Sequence, residues 1–169
     1  MDPQVLSVRR FRAEEWVAYR DLRLRALTDA PDAFGSTFER ESAWPEQHWA
    51  DRLSTATDSQ LQLLLVAEIG AEPVGLVLGF IDPTEPEIAH VYQMWVAPQA
   101  RGRGCGTELL RTVLAWVRGT SARSLTLCVT CGNSSARGLY ERAGFTPLGD
   151  PEPLRPGSTA LVQPMILTL

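Results

Sequence analysis

Apolar residues recur along this chain with two periods. Residues 62–69 (QLLLVAEI) and 73–81 (PVGLVLGFI) are dense in branched side chains and meet at the turn Gly70-Ala-Glu-Pro73, the pattern of a β-hairpin. A third apolar run, Ile88 to Val96, follows the proline-rich turn Asp82-Pro-Thr-Glu-Pro86 and ends before Pro98. The period then changes: Leu109, Leu110, Val113, Leu114 and Val117 recur at helical spacing, and Gly119 marks the helix end.

Upstream, Gln4 to Arg9 predicts a short strand, and Ala13 to Leu27 combines good helix formers without Gly or Pro, ending near Pro31. The stretch PDAFGSTFERESAW begins as a turn-rich loop, expected to be mobile, and passes into a short helix from about Pro45 through Leu53. Downstream come a strand (Ser124 to Thr130), a helix (Asn133 to Arg142) and two closing strands, Phe145 to Leu148 and Ala160 to Leu167. No repeat or linker divides the 169 residues. The expectation is one α/β domain, a mixed and mostly antiparallel twisted sheet of about 6–7 strands flanked by about 4 helices, with one strand-helix-strand crossover.

Composition narrows the chemistry. The chain is 44% apolar and 21% charged, as folded globular proteins are. No run approaches the roughly 20 apolar residues of a membrane span, and the N-terminus lacks a secretory layout, so a cytoplasmic address is expected. Three cysteines without framework spacing point the same way. All 16 basic residues are arginine, which excludes a lysine nucleophile, and the net charge of −4 argues against nucleic acid as a partner.

The turn Arg101-Gly-Arg-Gly-Cys-Gly106 joins the third apolar run to the periodic helix. A helix start leaves backbone N–H groups without intrahelical partners, and the helix dipole adds positive charge there. Glycines permit close approach and arginines add charge-assisted hydrogen bonds, so a pyrophosphate is the natural guest. The turn lacks the Gly-Lys-Ser/Thr of a P-loop, and its G-x-G-x-G spacing differs from the dinucleotide fingerprint G-x-G-x-x-G.

The turn does fit Arg/Gln-x-x-Gly-x-Gly/Ala, follows Met94-Trp-Val-Ala-Pro98 and precedes Asn133-Ser-Ser-Ala-Arg-Gly-Leu-Tyr-Glu-Arg-Ala-Gly-Phe145. On these motifs the chain resembles the GNAT superfamily of N-acetyltransferases, strongly over residues 88–146. The resemblance implies a single domain, 1–169, with an acetyl-coenzyme A-binding core at about 88–146 and acceptor-side helices and loop at about 13–54. It implies that Met94, Trp95 and Val96 offer backbone groups to the pantetheine and thioester. Arg101, Gly102, Arg103, Gly104, Cys105, Gly106 and Thr107 then hold the pyrophosphate, and Asn133 and Tyr140 complete the cofactor site. Tyr140 is the expected general acid, since a phenol with a pKa near 10 keeps its proton at neutral pH.

The general base is less directly marked. Many relatives carry a glutamate where this chain has His90, and others one where it has Cys128. His90, which titrates near neutrality, or a water chain is the expected base, with Glu87 or Glu39 behind them. Phe34, Phe38 and Glu39 are candidate acceptor-binding residues. Asp29, Asp32, Glu39, Glu41 and Glu46 make this region acidic, which suits a cationic amine or a solvated surface equally. Cys128 and Cys131, at a strand offset of three, should face apart and hold no metal. Cys105 is expected to pack, and His48 to lie on a helix surface. The expected reaction is direct acetyl transfer from acetyl-coenzyme A to a small-molecule or peptide amine, with no metal, membrane or nucleic acid involved and a homodimer allowed for. The alternatives are an acyl-coenzyme A-binding or sensing domain without turnover, and a transferase of a larger acyl group.

Overall fold

The computed structural model describes residues 5–169. Its element order is β1 (Leu6–Arg10), α1 (Trp16–Asp29), α2 (Phe38–Ser42), α3 (Glu46–Asp58), β2 (Gln62–Ile69), β3 (Glu72–Ile81), β4 (Ile88–Val96), α4 (Cys105–Val117), β5 (Ser124–Thr130), α5 (Ser134–Arg142), β6 (Thr146–Pro147), β7 (Glu152–Pro153) and β8 (Leu161–Thr168). The expected strand start at Gln4 lies outside the described residues. The loop after α1 holds a short helix, α2, that the turn-rich sequence conceals: Thr37 caps it by accepting from the Arg40 N–H at 3.2 Å. The closing segment Phe145 to Leu148 pairs over two residues only, so β6 is shorter than its apolar pattern implies.

The sheet order is β1-β2-β3-β4-β5-β8-β6, with β7 also pairing β8. β1 to β4 form an antiparallel meander, and β4 meets β5 in parallel across the crossover helix α4. That parallel ladder covers only Ile88, Ala89 and His90 against Ser124, Leu125 and Thr126. β5 pairs β8 on its other edge along its whole length, whereas residues 91–96 of β4 have no strand partner on the β5 side among the described residues. The sheet is split there.

Helices cover both faces. α4 lies on the face to which Gly75 and Gly79 of β3 point, and these glycines set the helix–sheet distance. A Cβ at Gly79 would sit 2.8 Å from the Trp116 ring, and one at Gly75 would sit 3.3 Å from Leu109 Cδ1. Leu109, Leu110, Val113 and Val117, all buried, form the α4 stripe. On the other face α1 and α3 pack through Tyr19, Leu22, Trp49 and Leu53, with the Phe11, Tyr19, Trp49 and Trp44 rings in contact.

Candidate active site

The alternation of β4 breaks at Gln93. Its φ of 57° is the sole positive value among described non-glycine residues, and the register passes from Leu78↔Tyr92 to Leu76↔Trp95. Two β4 residues thus oppose one of β3, a bulge that resets which side chains face which side. His90, Tyr92 and Trp95 pair with Phe80, Leu78 and Leu76, and so share the α1/α3 face. Gln93 is held on that face by Tyr19 Oη, which donates to its Oε1 at 3.0 Å. Met94 and Val96 point the other way, toward Gly106 at the start of α4.

The glycine turn is built for an unobstructed helix start. Gly102 and Gly104 adopt φ values of 73° and 85°, which residues with a Cβ rarely accept. Gly104 is the N-cap of α4 and supplies no capping side chain. Gly106 has a different role: a Cβ there would meet Leu139 Cδ2 at 3.2 Å, so its smallness lets α5 close on α4. Cys105 is buried, donates weakly to the Ala100 carbonyl, and has its thiol pushed up by burial; it packs.

Arg101 is braced to the chain, its Nε donating to the Val96 carbonyl at 3.0 Å and its Nη2 to Asp29 Oδ2 at 2.6 Å. Asp29 also accepts from Trp95 Nε1 at 2.9 Å, so the end of α1, the end of β4 and the turn are tied at one carboxylate. Arg103 is exposed in the same turn.

A groove of about 460 Å³ runs along this turn, lined by Met94, Trp95, Val96, Arg101, Gly102, Gly104, Cys105, Gly106, Thr107, Asn133 and Tyr140 among others. All the expected cofactor residues except Arg103 are thus in its wall. Asn133 caps α5, its Oδ1 accepting from the Ala136 N–H at 3.1 Å, which leaves its amide nitrogen as a donor. Tyr140 is only 6% exposed, and burial holds its phenol well above the ordinary value, so it is protonated at any physiological pH.

Asn133, Met94 and Tyr140 also line a second cleft, of about 790 Å³, that enters the split between β4 and β5. His90 is in its wall, at the last parallel pair. Its Nδ1 lies 2.8 Å from Thr126 Oγ1, leaving Nε2 as the ring nitrogen available for proton transfer. Tyr92 stacks on the imidazole at 5.7 Å. Burial lowers the His90 pKa, partly offset by the carboxylates of Glu85 and Asp82, so the ring is largely neutral at pH 7.

The expected acceptor residues separate. Phe34 is buried and lines the cleft. Phe38, 41% exposed, lines a different hollow beside Trp95, and Glu39 is exposed on α2 outside the cleft wall. Glu87 is likewise exposed and outside it. Two carboxylates of the acidic region are committed internally, Asp29 to Arg101 and Trp95 and Glu41, 2% exposed, to Arg23, whereas Asp32, Glu39 and Glu46 are exposed. Cys128 is in β5, but Cys131 lies in the turn after it, so the strand argument for opposite faces does not apply to that residue. His48, on α3, packs its ring against Trp44.

A split sheet with a glycine-rich turn and helix at the split defines a class of fold. It superimposes with a TM-score of 0.82 on a GNAT-family acetyltransferase of Streptococcus pneumoniae at 20% identity, covering 98% of this chain and 100% of that one. The spermidine N-acetyltransferase of Vibrio cholerae, solved with coenzyme A and spermine, gives 0.76 at 18% identity over 96% and 95%. Residues 16–145 match the Acetyltransferase (GNAT) family, and the chain belongs to that family. Among curated relatives, the L-2,4-diaminobutyric acid acetyltransferase of Nocardia farcinica is 32% identical over 76 residues, 45% of this chain and 39% of the relative. The mycothiol acetyltransferase of Salinispora arenicola is 29% identical over 154 residues, 85% of this chain and 45% of the relative. The chain spans less than half the length of either.

Proposed function

We propose that this protein is an N-acetyltransferase that moves the acetyl group of acetyl-coenzyme A to an amine in the cleft between β4 and β5. The observation that carries this reading is the continuity of the two cavities at Met94, Asn133 and Tyr140, where the unpaired edge of β4 passes into the glycine turn. The donor fits: an uncapped α4 start with two left-handed glycines suits a pyrophosphate, and an open strand edge suits a pantetheine amide. Bound acetyl-coenzyme A supplies the acetyl group as a thioester.

This chain's residues would then act at three places. Open backbone N–H groups of residues 91–96 orient and polarise the thioester carbonyl. His90 Nε2 accepts the proton that the acceptor ammonium must shed before its lone pair can attack. Tyr140 Oη holds a proton for the sulfur that departs. The relatives named for diaminobutyric acid, mycothiol and spermidine differ in acceptor, so the acceptor has to be read from this cleft.

Thiol release from acetyl-coenzyme A tests the roles. Tyr140→Phe should lower turnover about 10²-fold, the lower end for a lost proton donor, with coenzyme A affinity by calorimetry within about twofold. Unchanged turnover would remove Tyr140 from the chemistry.

A further inference from the structure

Two buried side-chain polar atoms among the described residues have no hydrogen-bond partner, Arg23 Nη1 and Ser36 Oγ, and both residues line the β4/β5 cleft. Arg23 is 3% exposed. Its Nε and Nη2 donate to the two Glu41 oxygens at 3.0 and 2.8 Å, and its guanidinium lies 4.6 Å from the Phe34 ring centroid. That geometry holds the guanidinium plane rigidly and commits two of its three nitrogens. The third keeps its N–H groups buried and unmatched.

A buried N–H without an acceptor is costly, and guanidiniums in native interiors normally have their donors matched. The missing group must accept hydrogen bonds, since Arg23 Nη1 can only donate and Ser36 Oγ carries a proton to give. The charge of the cleft selects among acceptors. Arg23, Arg40 and Arg52 line it against Glu41 and Glu152, an excess of one positive charge with His90 neutral. Glu41 is already committed to Arg23. A purely cationic polyamine would gain nothing at this wall; an anionic oxygen would.

We propose that the acceptor is an amine that also carries a carboxylate, an amino acid or short peptide, whose carboxylate accepts from Arg23 Nη1 and Ser36 Oγ. The proposal rests on the cleft being the acceptor site of the transferase described above. Glu41 and Phe34 are positioning residues in it, fixing the Arg23 plane. The acidic composition of the loop gives no hint of this specificity, because its buried carboxylate is spent on presenting a cation.

The test is a calorimetric titration of the protein, saturated with coenzyme A, using matched pairs: amino acids and dipeptides against their carboxamides and decarboxylated amines. The carboxylate member should bind about tenfold or more tighter, as expected for charge-assisted hydrogen bonds to a buried site. Ser36→Ala should narrow the gap. The double variant Arg23→Met with Glu41→Leu, which buries no lone charge, should abolish it while circular dichroism and coenzyme A binding are retained. Equal binding, preference for the decarboxylated amine, or no binding of any member overturns the proposal. Thiol release on the same panel is read separately. Carboxylate-selective binding without release would sink acetyl transfer and leave the carboxylate site standing, and release indifferent to the carboxylate would do the reverse.

Discussion

The Arg23–Glu41 pair is the residue-scale feature on which the proposed carboxylate site depends. Breaking it from one side leaves a charge in a dry interior, so Arg23→Met alone should lose about 3–5 kcal/mol by chemical denaturation. Adding Glu41→Leu should recover most of that. None of this was legible in the sequence, where Arg23 falls in the expected first helix and Glu41 in the turn-rich stretch after it, an acidic region that a solvated surface explains as well as a site does. His90 shows a different limit. Its identity was legible, but its face was not, because the bulge at Gln93 resets the alternation that would assign it. With its pKa lowered by burial, His90 is neutral, and competent as a base, down to below about 6.5; protonation below its own folded pKa switches it off. The acidic limb of kcat/KM should therefore lie below about pH 6.5 and vanish in His90→Gln. An unmoved limb in that variant would assign the base elsewhere.

At the scale of elements, the glycines do separate work. Gly79 sets how closely α4 approaches β3, and Gly79→Ala should cost about 1–3 kcal/mol by pushing Trp116 outward. Gly104→Ala meets open space but a left-handed backbone, so it should cost only about 1–2 kcal/mol while weakening coenzyme A binding through a distorted α4 start. Denaturation and calorimetry on both proteins separate packing from cofactor loss. The turn, α4 and α5 were legible because a glycine-rich turn before a helix fixes spacing and backbone conformation together, and the helices show their period. α2 was missed since its five residues are too few for a period, and β7 because a two-residue strand owes its existence to β8 rather than to local pattern; β6 was expected over Phe145 to Leu148 and keeps only the two residues that β8 pairs.

Across the whole molecule, the proposed function rests on one interrupted ladder. β4 and β5 pair over three residues and part after His90 and Thr126, and the opening is flanked by the glycine turn, by Tyr140 of α5 and by the loop between α1 and α2. Asp29 and Thr130 tie that loop region to the split, the first through Arg101 and Trp95 and the second by donating to the Asp32 carbonyl at 2.7 Å. The succession of elements along the chain, the meander and the single crossover were legible from hydrophobic runs and the crossover helix; the placing of β8 between β5 and β6 was not. The split was not, because strand divergence leaves no signature in composition.

The most direct test of the account is amine-dependent thiol release from acetyl-coenzyme A by the intact protein, with binding of acetyl-coenzyme A measured on the same sample. The expected result is saturable release that requires an amine and falls about 10²-fold in Tyr140→Phe. Tight binding of acetyl-coenzyme A with no release above the amine-free rate, across amino acids, peptides and polyamines, would contradict it and identify an acyl-coenzyme A-binding domain instead.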